Sequence, residues 1–166
     1  MTRITELLVR NIIFGVEDSL VSTMGLLAGV AVSGVSRSTI IVTGAILIFV
    51  EGFSMGAGSL LTEHSVAEFQ GKEARVTKRD VLGGAIMLAS YFFAGFIPLL
   101  PYVFLSVQAA FWVSIACSLL ALFLLGIGGA LVFRTRAIGH GLEMLLVGGG
   151  ALAIGVAVGR VVHGFV

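Results

Sequence analysis

Apolar residues run along the chain in five long stretches separated by short polar connectors, and each stretch has the twenty or so residues that a helix needs to cross a bilayer. The spans are expected at residues 11–33, 38–62, 81–98, 106–133 and 142–165. Gly34-Val35-Ser36-Arg37-Ser38 reads as a tight turn, residues 63–80 as the one long polar connector, and Arg134 to Gly141 as a short basic turn. The run from Val81 to Phe133 holds no Asp, Glu, Lys or Arg and is too long for one crossing, so Pro98 and Pro101 are expected to divide it. Thr77 and Asp80 have the spacing of a capping box that would open the third span. Residues 1–10 mix Arg3, Glu6 and Arg10 with Ile4, Leu7 and Leu8, the pattern of a short amphipathic helix lying on the membrane surface.

Composition sharpens this picture. The chain is 58% hydrophobic and only 11% charged, with a mean hydropathy of +1.12, which is too apolar and too charge-poor for a water-soluble domain. Its 166 residues accommodate one all-α, five-span polytopic domain over 1–166 and no soluble domain. The first stretch lacks an early small-residue cleavage site and is expected to stay as a span. Cys117, the one cysteine, falls within a span and reads as small packing material. Eight of the ten basic residues (Arg3, Arg10, Lys72, Arg75, Lys78, Arg79, Arg134 and Arg136) fall on one side of a five-span topology. The positive-inside rule then places the N-terminus in the cytoplasm and the C-terminus outside. A prokaryotic plasma membrane is the expected location. No nucleotide-binding loop, paired-cysteine site or nucleic-acid-binding pattern occurs, and neither an enzyme nor a cofactor is expected.

Against this background three carboxylates stand out: Glu17 and Asp18 in the first span and Glu51 in the second. A charged residue at a helix centre costs about 2.5–3.5 kcal/mol on insertion scales, so the three together cost on the order of 8–10 kcal/mol if all lie deep. Pairing with a nearby cation is not available in sequence, because no Lys or Arg lies between Asn11 and Ser36 or between Ser38 and Gly71. Gly15, Asp18, Ser22, Gly25, Gly29 and Ser33 recur at three- and four-residue steps and form one small, polar helix face. Gly25 and Gly29 also make a GxxxG pair, expected as a helix contact and as a face for dimerisation. Met55 lies one turn beyond Glu51, stacking a thioether on a carboxylate, and Gly58, Ser59 and Thr62 continue that face. Glu63, His64, Glu68 and Glu73 in the connector could act as accessory metal or proton sites, although mixed charges there more simply make a solvated face.

The stretch from Arg10 through Phe14-Gly15-Val16-Glu17-Asp18-Ser19-Leu20 to Gly29 resembles the first-helix signature of the vacuolar iron transporter family. Glu51 to Gly58, with its Ser54-Met55-Gly56-Ala57-Gly58 run, resembles the second. The resemblance implies a homodimer whose subunits build a metal path between them from an Asp of helix one and a Glu and Met of helix two, here Asp18, Glu51 and Met55. It departs at two places: Ser19 stands where the family usually has Gly after the Asp, and Ser59 where it often has Glu. The large Glu-rich cytosolic domain of iron-storing members is at most a remnant in residues 63–80.

The expected function is export of Fe2+, and of Mn2+ or other first-row ions, from the cytoplasm by a homodimer in the lipid bilayer. Carboxylates suit hard and borderline ions, while a thioether favours softer transition metals over Mg2+ or Ca2+. Because carboxylates bind metal deprotonated, metal binding would release protons and could support antiport, with Glu17 as a further proton site or entrance ligand. The alternative is a non-transporting sensor or assembly subunit in which Asp18 and Glu51 form a buried hydrogen-bonded lock between helices. Tyr102 and Trp112 are expected in an interfacial aromatic belt, Tyr91 facing lipid or in packing, Glu143 at a helix N-terminus, and Arg160 and His163 at the far interface.

Overall fold

The computed structural model describes residues 3–71 and 76–165, with side chains from Glu6 onward. Among these residues the architecture is wholly helical: α1 (Arg3–Val32), α2 (Arg37–Phe69), α3 (Lys78–Phe104), α4 (Val107–Phe133) and α5 (Ala137–His163). All five are long and apolar enough to cross a membrane. At 1.5 Å per residue the 33 residues of α2 rise about 50 Å, well beyond a hydrocarbon core of about 30 Å, so its last turns extend past the bilayer on the connector side.

Local chemistry sets most helix ends. Ser36 caps α2 by accepting from the Thr39 N–H, after a turn in which Gly34 takes the left-handed conformation at φ 79°. The capping box at α3 is present: the Thr77 side chain accepts from the Asp80 N–H, and the Asp80 carboxylate accepts from the Thr77 N–H at 2.8 Å. Arg37 reaches the opposite end of α3 and donates through Nε to the Tyr102 carbonyl at 2.8 Å and through Nη2 to the Val103 carbonyl. A cation there satisfies carbonyls that have no partner within their own helix and faces the negative end of the dipole.

Four expectations need correction. Residues 3–10 do not form a separate surface helix; they are continuous with α1, which runs unbroken from Arg3 to Val32. The prolines do not end the third span, since Pro98 and Pro101 both lie inside α3, which stops at Phe104. The Ser114 hydroxyl of α4 donates to the Pro98 carbonyl at 2.8 Å, one of the compensations that let membrane helices tolerate proline. Tyr102 is not interfacial but fully buried, in a core with Leu27, Ile40, Ile48, Leu99 and Ala110, whereas Trp112 is exposed. Finally, α5 begins five residues before Leu142, so Glu143 lies beyond the first turn and pairs with His140 at 2.8 Å instead of capping the helix.

The glycine stripe of α1 packs within the chain. An added Cβ at Gly155 would lie 2.0 Å from the Gly25 carbonyl oxygen and one at Gly159 would lie 2.0 Å from that of Gly29. Helices α1 and α5 therefore touch backbone to backbone, as the Ala151, Gly155 and Gly159 spacing requires. Gly25 and Gly29 are buried by this crossing within the chain, so the helix contact expected of them is made with α5.

Candidate functional site

Glu17 and Asp18 stand midway along α1, and Glu51 stands near the middle of α2. Their relative placement is set by Tyr91 of α3, which is completely buried. Ser19, next to Asp18, donates to the Tyr91 carbonyl oxygen at 2.6 Å. One turn further on, Ser22 shares a 2.8 Å hydrogen bond with the Tyr91 hydroxyl. On the other side Gly52, next to Glu51, faces the ring: a Cβ there would make ordinary contact with Tyr91 Cδ1 at 3.5 Å. Both acid-bearing helices thus pack on one tyrosine. Asp18 and Glu51 come within electrostatic reach of each other, and the Tyr91 hydroxyl within reach of both.

Farther toward the connector side, a second polar node joins three helices. Asn11 is buried and donates through Nδ2 to the Ser59 hydroxyl at 2.9 Å and to the Gly83 carbonyl at 2.9 Å. Beside it runs a groove of about 660 Å³ between α1 and α2, lined by Arg10, Asn11 and Phe14 on one wall and Met55, Ser59 and Thr62 on the other, with Met87 of α3 also lining it. Met55 is half-buried and lines the groove, and the next residue, Gly56, meets α3 closely: a Cβ on Gly84 would lie 2.7 Å from the Gly56 carbonyl oxygen. The groove therefore leads from the connector end to a thioether one turn from Glu51.

The described residues form two ion pairs, Arg10–Glu63 and His140–Glu143, and neither involves Asp18 or Glu51. Glu17 is half-buried beside Asp18, on a face turned about 100° away. Among the accessory candidates, Glu63 is taken by Arg10 at 2.5 Å, His64 is half-buried with no partner for Nδ1, Glu68 is exposed, and Glu73 lies outside the described residues. Among the described residues no three His, Cys, Asp or Glu side chains come together to hold a metal. One chain thus brings together two carboxylates, with a thioether close by, and not a closed site.

Asn11, Tyr91 and the Arg10–Glu63 pair were not singled out from the sequence. The first two had a signal: a polar amide and a phenol deep in apolar segments must each find a partner. The ion pair had none, since it joins residues far apart in the chain.

A family model described as the VIT family matches residues 9–83 and 81–160, stretches that together reach all five helices. No curated protein matches the chain.

Proposed function

The chain belongs to the VIT family, whose members carry metal ions across membranes, and from that premise we propose that it moves Fe2+, and also Mn2+, out of the cytoplasm in exchange for protons. Asp18, Glu51 and Met55 are the ligands of the path. The observation that carries this reading is the pair of carboxylates near the middles of two membrane-length helices, within electrostatic reach of each other and with no cationic partner among the described residues. Two like charges held together at a bilayer midplane are unfavourable unless protons or a metal neutralise them. Metal binding needs both deprotonated, so uptake releases protons and release of the metal takes them back.

Two oxygen ligands and one thioether cannot surround a first-row ion, and two-fold pairing of chains doubles the set. The apolar face of α2 around Phe49, Val50 and Phe53 is exposed on the single chain and is available for such pairing. The basic side chains concentrate on the side of the N-terminus and the 70–77 connector, and the positive-inside rule supports reading that side as cytoplasmic. The alternative, a hydrogen-bonded carboxylate lock, fits less well: the polar contacts that join helices here come from neutral Asn11, Ser19 and Ser22. Competition of Fe2+, Mn2+, Zn2+ and Mg2+ for flux into proteoliposomes, read with an internal pH dye, tests the proposal. Metal-dependent proton movement with Mg2+ the weakest competitor is expected; flux without proton movement contradicts antiport.

A further inference from the structure

Arg10 and Glu63 meet at the connector end of the groove that leads to Met55, with Arg10 Nη2 at 2.5 Å from Glu63 Oε1. Their surroundings differ. The Glu63 side chain is 18% exposed and the Arg10 side chain 61% exposed, so the acid is fixed in the protein while the guanidinium closes over it from the solvent side. Asp80, the buried acid at the start of α3, is occupied by the Thr77 N–H and does not compete for Arg10. Asn11, adjacent to Arg10, ties α1 to α2 and α3 independently, so the fold at this point does not need the ion pair. An ion pair with one partner this exposed contributes little to stability and can open without disturbing the helices.

Building on the transport reading, we propose that the Arg10–Glu63 pair is a valence filter at the groove mouth: a divalent cation displaces the guanidinium from Glu63, and a monovalent cation does not. The reason is Coulombic. A doubly charged ion attracts the Glu63 carboxylate twice as strongly as a monovalent one at the same distance, while Arg10 already supplies one positive charge with a directional hydrogen bond. Displaced Arg10 has a second partner on its own helix, the exposed Glu6 one turn earlier. Until it moves, its charge repels cations from the groove. The filter acts on which ions reach Met55, Asp18 and Glu51, and not on those ligands themselves.

The two halves of the pair then have opposite effects. Mn2+ flux would be measured in proteoliposomes for wild type, Arg10→Gln and Glu63→Gln, in K+ and in tetramethylammonium at equal ionic strength. Arg10→Gln is expected to lower the apparent KM for Mn2+ several-fold and to make K+ an inhibitor relative to the bulky cation. Glu63→Gln is expected to raise the KM several-fold, because an unpaired guanidinium stays in the mouth. A merely structural bridge predicts shifts in the same direction for both variants and no difference between K+ and tetramethylammonium; that result overturns the filter. Absence of any wild-type flux would instead contradict the transport reading. Equilibrium Mn2+ binding to the purified variants then judges the filter, with opposite shifts in Kd supporting it and equal Kd values overturning it.

Discussion

Ser19 and Ser59 occupy the two positions at which the chain departs from the signatures it otherwise resembles, and both hydroxyls make inter-helix hydrogen bonds. Ser19 fastens α1 to the backbone of α3 beside Tyr91, and Ser59 accepts from Asn11. Where a carboxylate at position 59 would add a ligand, this chain has a neutral bridge. On the proposed reading the site rests on Asp18, Glu51 and Met55, and Met55 then sets its selectivity. Met55→Leu nearly conserves volume and should cost less than about 1.5 kcal/mol of stability. If the thioether binds metal, competition curves in reconstituted flux should shift toward Mn2+ and Mg2+ over Fe2+, whereas unchanged curves return Met55 to packing. Asn11→Ala removes one buried and one part-buried hydrogen bond and leaves the Gly83 carbonyl and Ser59 short of a donor, a loss of roughly 1–3 kcal/mol readable as a lower unfolding midpoint in detergent. The three acids were legible in the sequence because charge is rare and costly inside apolar segments. Tyr91 was not, because an aromatic residue in a span is ordinary and only the folded arrangement shows that its hydroxyl meets Ser22 within electrostatic reach of both acids.

Between elements, close approach is made by small residues and end effects by distant cations. Gly25 and Gly29 were readable as a helix contact from their spacing, but the partner helix was not, since the GxxxG pattern serves equally for a neighbour in the same chain or in another. Here that neighbour is α5. Gly159→Ala places a methyl group 2.0 Å from the Gly29 carbonyl oxygen, and neither backbone can yield without separating α1 from α5. A loss of about 1–3 kcal/mol or more is expected, seen as a lower unfolding temperature in detergent, with the dimer, if it forms through α1 and α2, unaffected in cross-linking of the folded fraction. The end of the third span was misread for a related reason. Proline breaks isolated helices, whereas α3 carries Pro98 and Pro101 with Ser114 bonded to the Pro98 carbonyl and Arg37 bonded to the carbonyls at the helix end. Arg37→Met should destabilise the protein by about 0.3–1 kcal/mol through loss of the favourable cation at the α3 terminus, measurable by the same unfolding assay.

For the whole molecule, the alternation of apolar stretches with polar connectors was enough to expect five spans, because the bilayer sets the length of a helix that crosses it. What the pattern could not supply was which helices touch: that depends on the side-by-side match of glycines, on Tyr91 filling the space between α1 and α2, and on the groove that follows from it. The side of each connector is likewise a matter of charge distribution. A cysteine at Thr77 should be labelled from the cytoplasm and one at Gly164 from outside; labelling of both from one side contradicts five spans, and the reverse pattern contradicts the proposed orientation. The central claim is that Asp18 and Glu51 form a metal path and not a lock between helices. Asp18→Asn and Glu51→Gln retain hydrogen-bonding capacity and remove the charge, so a lock survives them and a path does not. The most direct test is metal flux into proteoliposomes for these two variants beside wild type, at matched amounts of folded protein. The account predicts robust wild-type flux and near-complete loss in each variant; flux at wild-type rates in either one would contradict it.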